Sequence, residues 1–77
     1  MEEDTNRYGL TKTEYKFLFE LVQGKTNFQI GEVMHISPHT VKIHVAKILE
    51  KFCVHNRIQA TAKAIRENIV PDFDVFS

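Results

Sequence analysis

Residues 37–52 read SPHTVKIHVAKILEKF, and the fold turns on what this stretch does. Val41, Val45, Ile48, Leu49 and Phe52 fall at i, i+4, i+7, i+8 and i+11, one stripe at the 3.6-residue period of an amphipathic helix. Ser37 is a good N-cap. Pro38 then occupies N1, where its missing N–H does no harm. A helix is predicted over 38–52. At about 100° per residue, its far side carries His39, Ile43, Ala46, Lys47 and Glu50, with Lys42 on the border. Ile43 therefore sits near the middle of a lysine-bearing face that should point at water.

The flanks extend the reading. HIS at 35–37 is a turn. Before it, Ile30, Val33 and Met34 point inward on a short helix that Thr26 or Asn27 can cap. Gly31 inside that helix costs about 1 kcal/mol relative to Ala, which suggests a close helix–helix contact. Thr11 and Glu14 have capping-box spacing, so a first helix begins at about Lys12. Tyr15, Phe17, Leu18, Leu21 and Val22 give it an apolar face, and Gly24 is a plausible stop. CVHN at 53–56 breaks the central helix, and Asn56 can cap a fourth, from Arg57 to about Asn68. There Ile58, Ala62, Ile65 and Ile69 form one stripe, widened by Ala60 and Ala64, and Pro71 prevents continuation. The expected fold is all-α: four helices, short connections, no strand. Residues 1–9 are expected to be a flexible acidic arm, 10–70 the domain, and 71–77 a short tail.

Composition bounds the function. The chain has 77 residues, enough for one small domain. Hydrophobic residues at 43% and charged residues at 26% place it in the ordinary globular class. Cys53 is alone, so no intramolecular disulfide is possible; a reducing compartment fits, with the thiol expected to be a small buried apolar group. No apolar run approaches the roughly 20 residues of a membrane span, and no signal peptide is visible, so the expected location is cytoplasmic. Net charge is zero, but its distribution is uneven. Glu2, Glu3 and Asp4 outweigh Arg7 in the arm, whereas residues 10–55 carry six lysines against four glutamates. That is a weak basic footprint. His35, His39, His44, Cys53 and His55 are ligand types, but none shares a helical face at metal-ligand spacing. No phosphate loop or nucleophile motif is present. An enzyme, a metal site and a cofactor are not expected.

Three or four residues between the second and third helices hold them at a steep angle, the helix-turn-helix arrangement. The third can present its outer face to a major groove. This explains Ile43. A groove edge offers the thymine methyl as well as hydrogen-bonding groups. Lys42 and Lys47 suit phosphate or guanine, while Ile43 and Ala46 meet methyl groups or allow close approach.

The stretch from Leu10 through Ala62 resembles the LuxR/GerE-type helix-turn-helix family, whose domain is also the output domain of NarL-like response regulators. The resemblance rests on Leu10 and Thr11, Glu14, Leu18, Gly24, Thr26 and Asn27, Ile30, Ile36 and Ser37, and Thr40-Val41-Lys42 with His44. It continues through Lys51, Phe52, Val54, Arg57 and Ala60. Departures from the family pattern are Thr13 for Arg, Lys16 and Gln29 for Glu, Gly31 for Ala and Lys47 for a frequent Asn, so base-level specificity does not transfer.

The resemblance implies a bacterial transcription regulator that binds double-stranded DNA at the nucleoid, commonly as a homodimer through the fourth helix. Base-facing candidates are Lys42, Ile43, Ala46 and Lys47. Phosphate or positioning candidates are Thr26, Asn27, Thr40, His44 and Lys51. Ile65, Arg66 and Ile69 are the dimer candidates, and Arg57 is read as structural, anchoring the fourth helix against the third. Met1 fits a free-standing regulator and equally an excised output domain controlled by a sensor or receiver domain. The alternative is a helix-turn-helix interaction module that binds and modulates another regulator; zero net charge, the acidic arm, Phe73 and Phe76 favour it.

Overall fold

Local capping chemistry starts each helix along residues 8–69, the part of the chain described by the computed structural model. The arm up to residue 7 and the tail from residue 70 lie outside the described residues. In α1 (Lys12–Val22), the Thr11 side chain accepts from the Glu14 N–H at 3.0 Å, and the Glu14 carboxylate accepts from the Thr11 N–H at 3.0 Å. Gly24, at φ 83°, turns the chain out of the helix. Thr26 caps α2 (Asn27–Met34) in a second reciprocal box, with Gln29 as the returning partner. Ser37 caps α3 (Pro38–Phe52), and Asn56 caps α4 (Arg57–Arg66).

The core is one cluster. Phe17, Leu18 and Leu21 of α1 and Ile30 of α2 meet Val41, Val45, Ile48 and Phe52 of α3. Leu10, Ala60, Ala64 and Ile69 close it. The predicted stripe of α3 is thus the buried one, with Leu49 at its margin. Val33 departs from expectation: α2 turns it outward, 46% exposed, because Ile30 and Gly31 fill the inward positions.

Gly31 is close-packed, though against the turn's backbone rather than another helix. A Cβ built there would lie 2.6 Å from the Ile36 carbonyl oxygen. The same turn is closed by the Ile36 N–H donating to the Gly31 carbonyl at 2.9 Å. His35 takes the left-handed conformation at φ 62°. The α2–α3 angle is therefore fixed by a tight backbone contact that leaves no room for a side chain.

In α4 the single stripe read from the sequence is split between core and surface. Ala60 and Ala64 are buried, whereas Ile58 is 77% exposed, Ile65 is 43% exposed and Ala62 is exposed. The helix ends at Arg66, and Asn68 adopts φ 56°. The Ile69 N–H then donates to the Ala64 carbonyl at 2.8 Å. This reversal brings Ile69 under the domain, 1% exposed, instead of continuing the Ile58–Ile65 stripe. Cys53 also departs from its expected burial. It sits at the C-cap of α3 in the left-handed conformation with its side chain exposed.

Candidate nucleic-acid interface

The outer face of α3 gathers the four base-facing candidates. Lys42, Ala46 and Lys47 are exposed, and Ile43 between them is 47% exposed. They share a face because Val41, Val45 and Ile48 commit the opposite side to the core. Among the described residues neither lysine has an ion-pair partner, so both ammonium groups are available. No helix among these residues is long and apolar enough to cross a membrane. No three of His, Cys, Asp and Glu among them come together to hold a metal.

The phosphate candidates divide. Thr26 is exposed at the start of α2, its hydroxyl accepting the Gln29 N–H at 3.1 Å. Asn27 follows it, half-buried. Its Oδ1 accepts from Arg57 Nη1 at 2.9 Å, and Nη2 of the same guanidinium donates to the Lys25 carbonyl at 2.6 Å. Arg57 thus anchors α4 to the first residue of α2 and to the loop before it, not to α3. At the start of α3, the Thr40 N–H donates to Ser37 Oγ at 3.1 Å, and the two hydroxyls lie 3.1 Å apart. Much of what Thr40 could offer a phosphate is therefore used locally.

Two candidates turn out to be engaged within the domain. His44 lies flat on Phe17, with ring centroids 4.4 Å apart and planes 12° from parallel, which makes it a packing residue. Lys51 donates to the Glu14 carboxylate at 2.6 Å and to the Gly9 carbonyl at 2.8 Å. Burial alone would raise the Glu14 pKa. The hydrogen bond from Lys51, the two bonds with Thr11 and the Lys51 charge outweigh it and hold the carboxyl below its ordinary range. Lys51 is consequently a tie between α3 and α1.

Of the dimer candidates, Ile65 and Arg66 are exposed on α4, but Ile69 is withdrawn into the core and has no surface to offer. The open stripe is Ile58, Ala62 and Ile65, at i, i+4 and i+7. Ile58 and Ala62 belong to it because the alanine side of α4 faces inward. Sequence reasoning also missed Tyr8. Assigned to the arm, it is half-buried, its ring 4.9 Å from Phe52 and its hydroxyl donating to Glu67 at 2.6 Å. Lys63 Nζ lies 4.8 Å from the Tyr8 ring centroid. No local signal announces a partner 59 residues away.

Residues 8–64 match the family described as bacterial regulatory proteins, luxR family. Among curated relatives, 61 residues are 44% identical to the transcriptional regulatory protein LiaR of Bacillus subtilis, covering 79% of this chain and 29% of that protein. Over 52 residues the chain is 46% identical to the nitrate/nitrite response regulator protein NarP of Escherichia coli, covering 68% and 24%. It is 38% identical over 61 residues to the transcriptional activator protein SolR of Ralstonia solanacearum, covering 79% and 26%. The chain thus spans between 24% and 29% of the length of these relatives.

Proposed function

Because the chain belongs to the luxR family of bacterial regulatory proteins, a helix-turn-helix DNA-binding family, we propose that α3 reads the major groove through Lys42, Ile43, Ala46 and Lys47. The observation that carries this is the face itself: two unpaired lysines flank a half-exposed isoleucine and an alanine on the second helix of the motif. Lys42 and Lys47 reach guanine edges or phosphates, and Ile43 covers a thymine methyl. Thr26 and Asn27, at the positive end of α2, grip the backbone. His44 and Lys51 act indirectly, by holding α3 against α1.

Dimerisation through the Ile58–Ala62–Ile65 stripe, with Arg66 at its end, completes the reading. The stripe supports it as an apolar surface that the domain leaves open. A two-fold pair would read half-sites of mirrored sequence. The DNA partner places the protein at the nucleoid in the cytoplasm.

The test is selection of duplexes from a random-sequence pool across a salt titration. Selective retention that weakens steeply with salt is expected. Lys42→Ala and Lys47→Ala should each weaken binding, and each lysine that neutralises a phosphate should lower the log–log salt slope by about 0.9. Ile43→Ala should reduce discrimination for thymine about fivefold, since one methyl group's burial is worth roughly 1 kcal/mol. A protein that retains no DNA at low salt would overturn the reading in favour of a module that binds another regulator.

A further inference from the structure

We propose that Arg57 is a positioning residue for DNA binding: it fixes the side-chain amide of Asn27 so that the NH2 group faces outward to a backbone phosphate. This rests on the DNA-binding reading above and names how one phosphate contact is assembled.

The geometry makes the case. Arg57 is the first residue of α4, and Asn27 is the first residue of α2. Both are half-buried. The guanidinium spends one nitrogen on Asn27 Oδ1 at 2.9 Å and the other on the Lys25 carbonyl at 2.6 Å. A guanidinium only donates, so the amide atom facing it is the oxygen, and Nδ2 with its two hydrogens is left for another acceptor. The amide, normally free to flip, thus has one orientation.

The surroundings give that orientation a use. The Thr26–Gln29 box consumes the N–H groups of those two residues. The N–H groups of Asn27 and Phe28 lie in the first helical turn and have no intrahelical acceptor. The Asn27 NH2 joins them at the positive end of the helix. The nearby ammonium of Lys25 is already paired with Glu20, which leaves amide donors to meet an anion there. Lysine cannot replace Arg57, because a single ammonium does not reproduce the planar two-nitrogen fork. The same fork ties α2 to the helix bearing the exposed Ile58–Ala62–Ile65 stripe.

The experiment measures the dissociation constant and salt slope for a labelled duplex recovered by the unaltered protein from the random pool. Four proteins are compared: unaltered, Arg57→Lys, Asn27→Ala and the double variant. All are measured well below their melting temperatures. Arg57→Lys is expected to weaken binding about tenfold, the worth of one oriented hydrogen bond to a charged group. Its salt slope should stay unchanged because Arg57 itself meets no phosphate. Asn27→Ala should lose a similar factor, and the double variant no more than either single. Losses that multiply overturn the proposal, because they show that Arg57 acts other than through Asn27. A slope lowered by about 0.9 in Arg57→Lys also overturns it, by making Arg57 a phosphate contact. Failure of the unaltered protein to recover any duplex overturns the DNA-binding reading along with it.

Discussion

Lys51→Met separates a structural lysine from a DNA-contacting one. The side chain keeps most of its length and loses its charge. It removes a 2.6 Å bond to a Glu14 carboxylate whose side chain is only 7% exposed. Breaking a fully buried pair costs about 3–5 kcal/mol, and a hydrogen bond to a charged group is worth about 1.5–3 kcal/mol. Lys51 keeps 32% of its side chain in water, which screens the pair. Glu14 also retains the Thr11 N–H at 3.0 Å. The expected loss near neutral pH is therefore about 2 kcal/mol. For a domain of this size that lowers the melting temperature by roughly 8–16 °C.

The pH dependence has a definite sign. The Glu14 carboxyl is held below its ordinary range in the folded protein. Its contribution is therefore complete above the unfolded-state value and disappears as pH falls through the depressed folded value. The gap between unaltered protein and Lys51→Met should be widest at neutral pH and close in acid. Adding Glu14→Gln to Lys51→Met should recover part of the loss, since no buried charge is then left unpaired. Thermal and urea unfolding across pH supply these values, and DNA titration of the folded variant supplies a salt slope. A loss below about 0.5 kcal/mol, or a gap independent of pH, refutes the structural reading. A slope lowered by about 0.9 would show that Lys51 touches a phosphate after all.

Other outcomes follow from burial and backbone geometry. Ile69→Ala should cost about 2–4 kcal/mol in unfolding experiments without changing the association constant, whereas Ile58→Lys should leave stability within about 0.5 kcal/mol and weaken self-association in sedimentation. Gly31→Val should lose about 2 kcal/mol or more by overpacking the Ile36 carbonyl, read as a lowered denaturation midpoint; an unchanged midpoint would mean that the turn yields. Cys53→Gly should gain about 1 kcal/mol, because a left-handed residue with a Cβ is strained by roughly that amount; no gain in melting temperature would count against that strain.

The helix starts were legible because their causes lie within one turn of chain. Thr11 finds Glu14 three residues on, Ser37 finds Thr40, and Asn56 finds Gln59. None of these depends on the rest of the protein. The inner face of α3 was legible for the same reason: five apolar residues at helical period admit one orientation, and that leaves Lys42, Ile43, Ala46 and Lys47 outside together. The predicted stripe on α4 was not decisive, since two apolar faces competed, one of isoleucines and one of alanines. Packing chose the alanines, and the left-handed turn at Asn68 drew Ile69 in while leaving Ile58 and Ile65 in water.

The sequence by itself determined four helices, their boundaries to within a few residues, and the face of α3 that stays outside the core, because these follow from spacing and from bonds between near neighbours. The tertiary structure alone decided which polar groups are already occupied. Lys51 meets Glu14 across 37 positions, Arg57 meets Asn27 across 30, and Tyr8 meets Glu67 across 59. A lysine or an asparagine carries the same donors whether it faces water or a carboxylate. Only the folding of distant segments onto one another determines which of them are spent inside the domain and which remain for a partner.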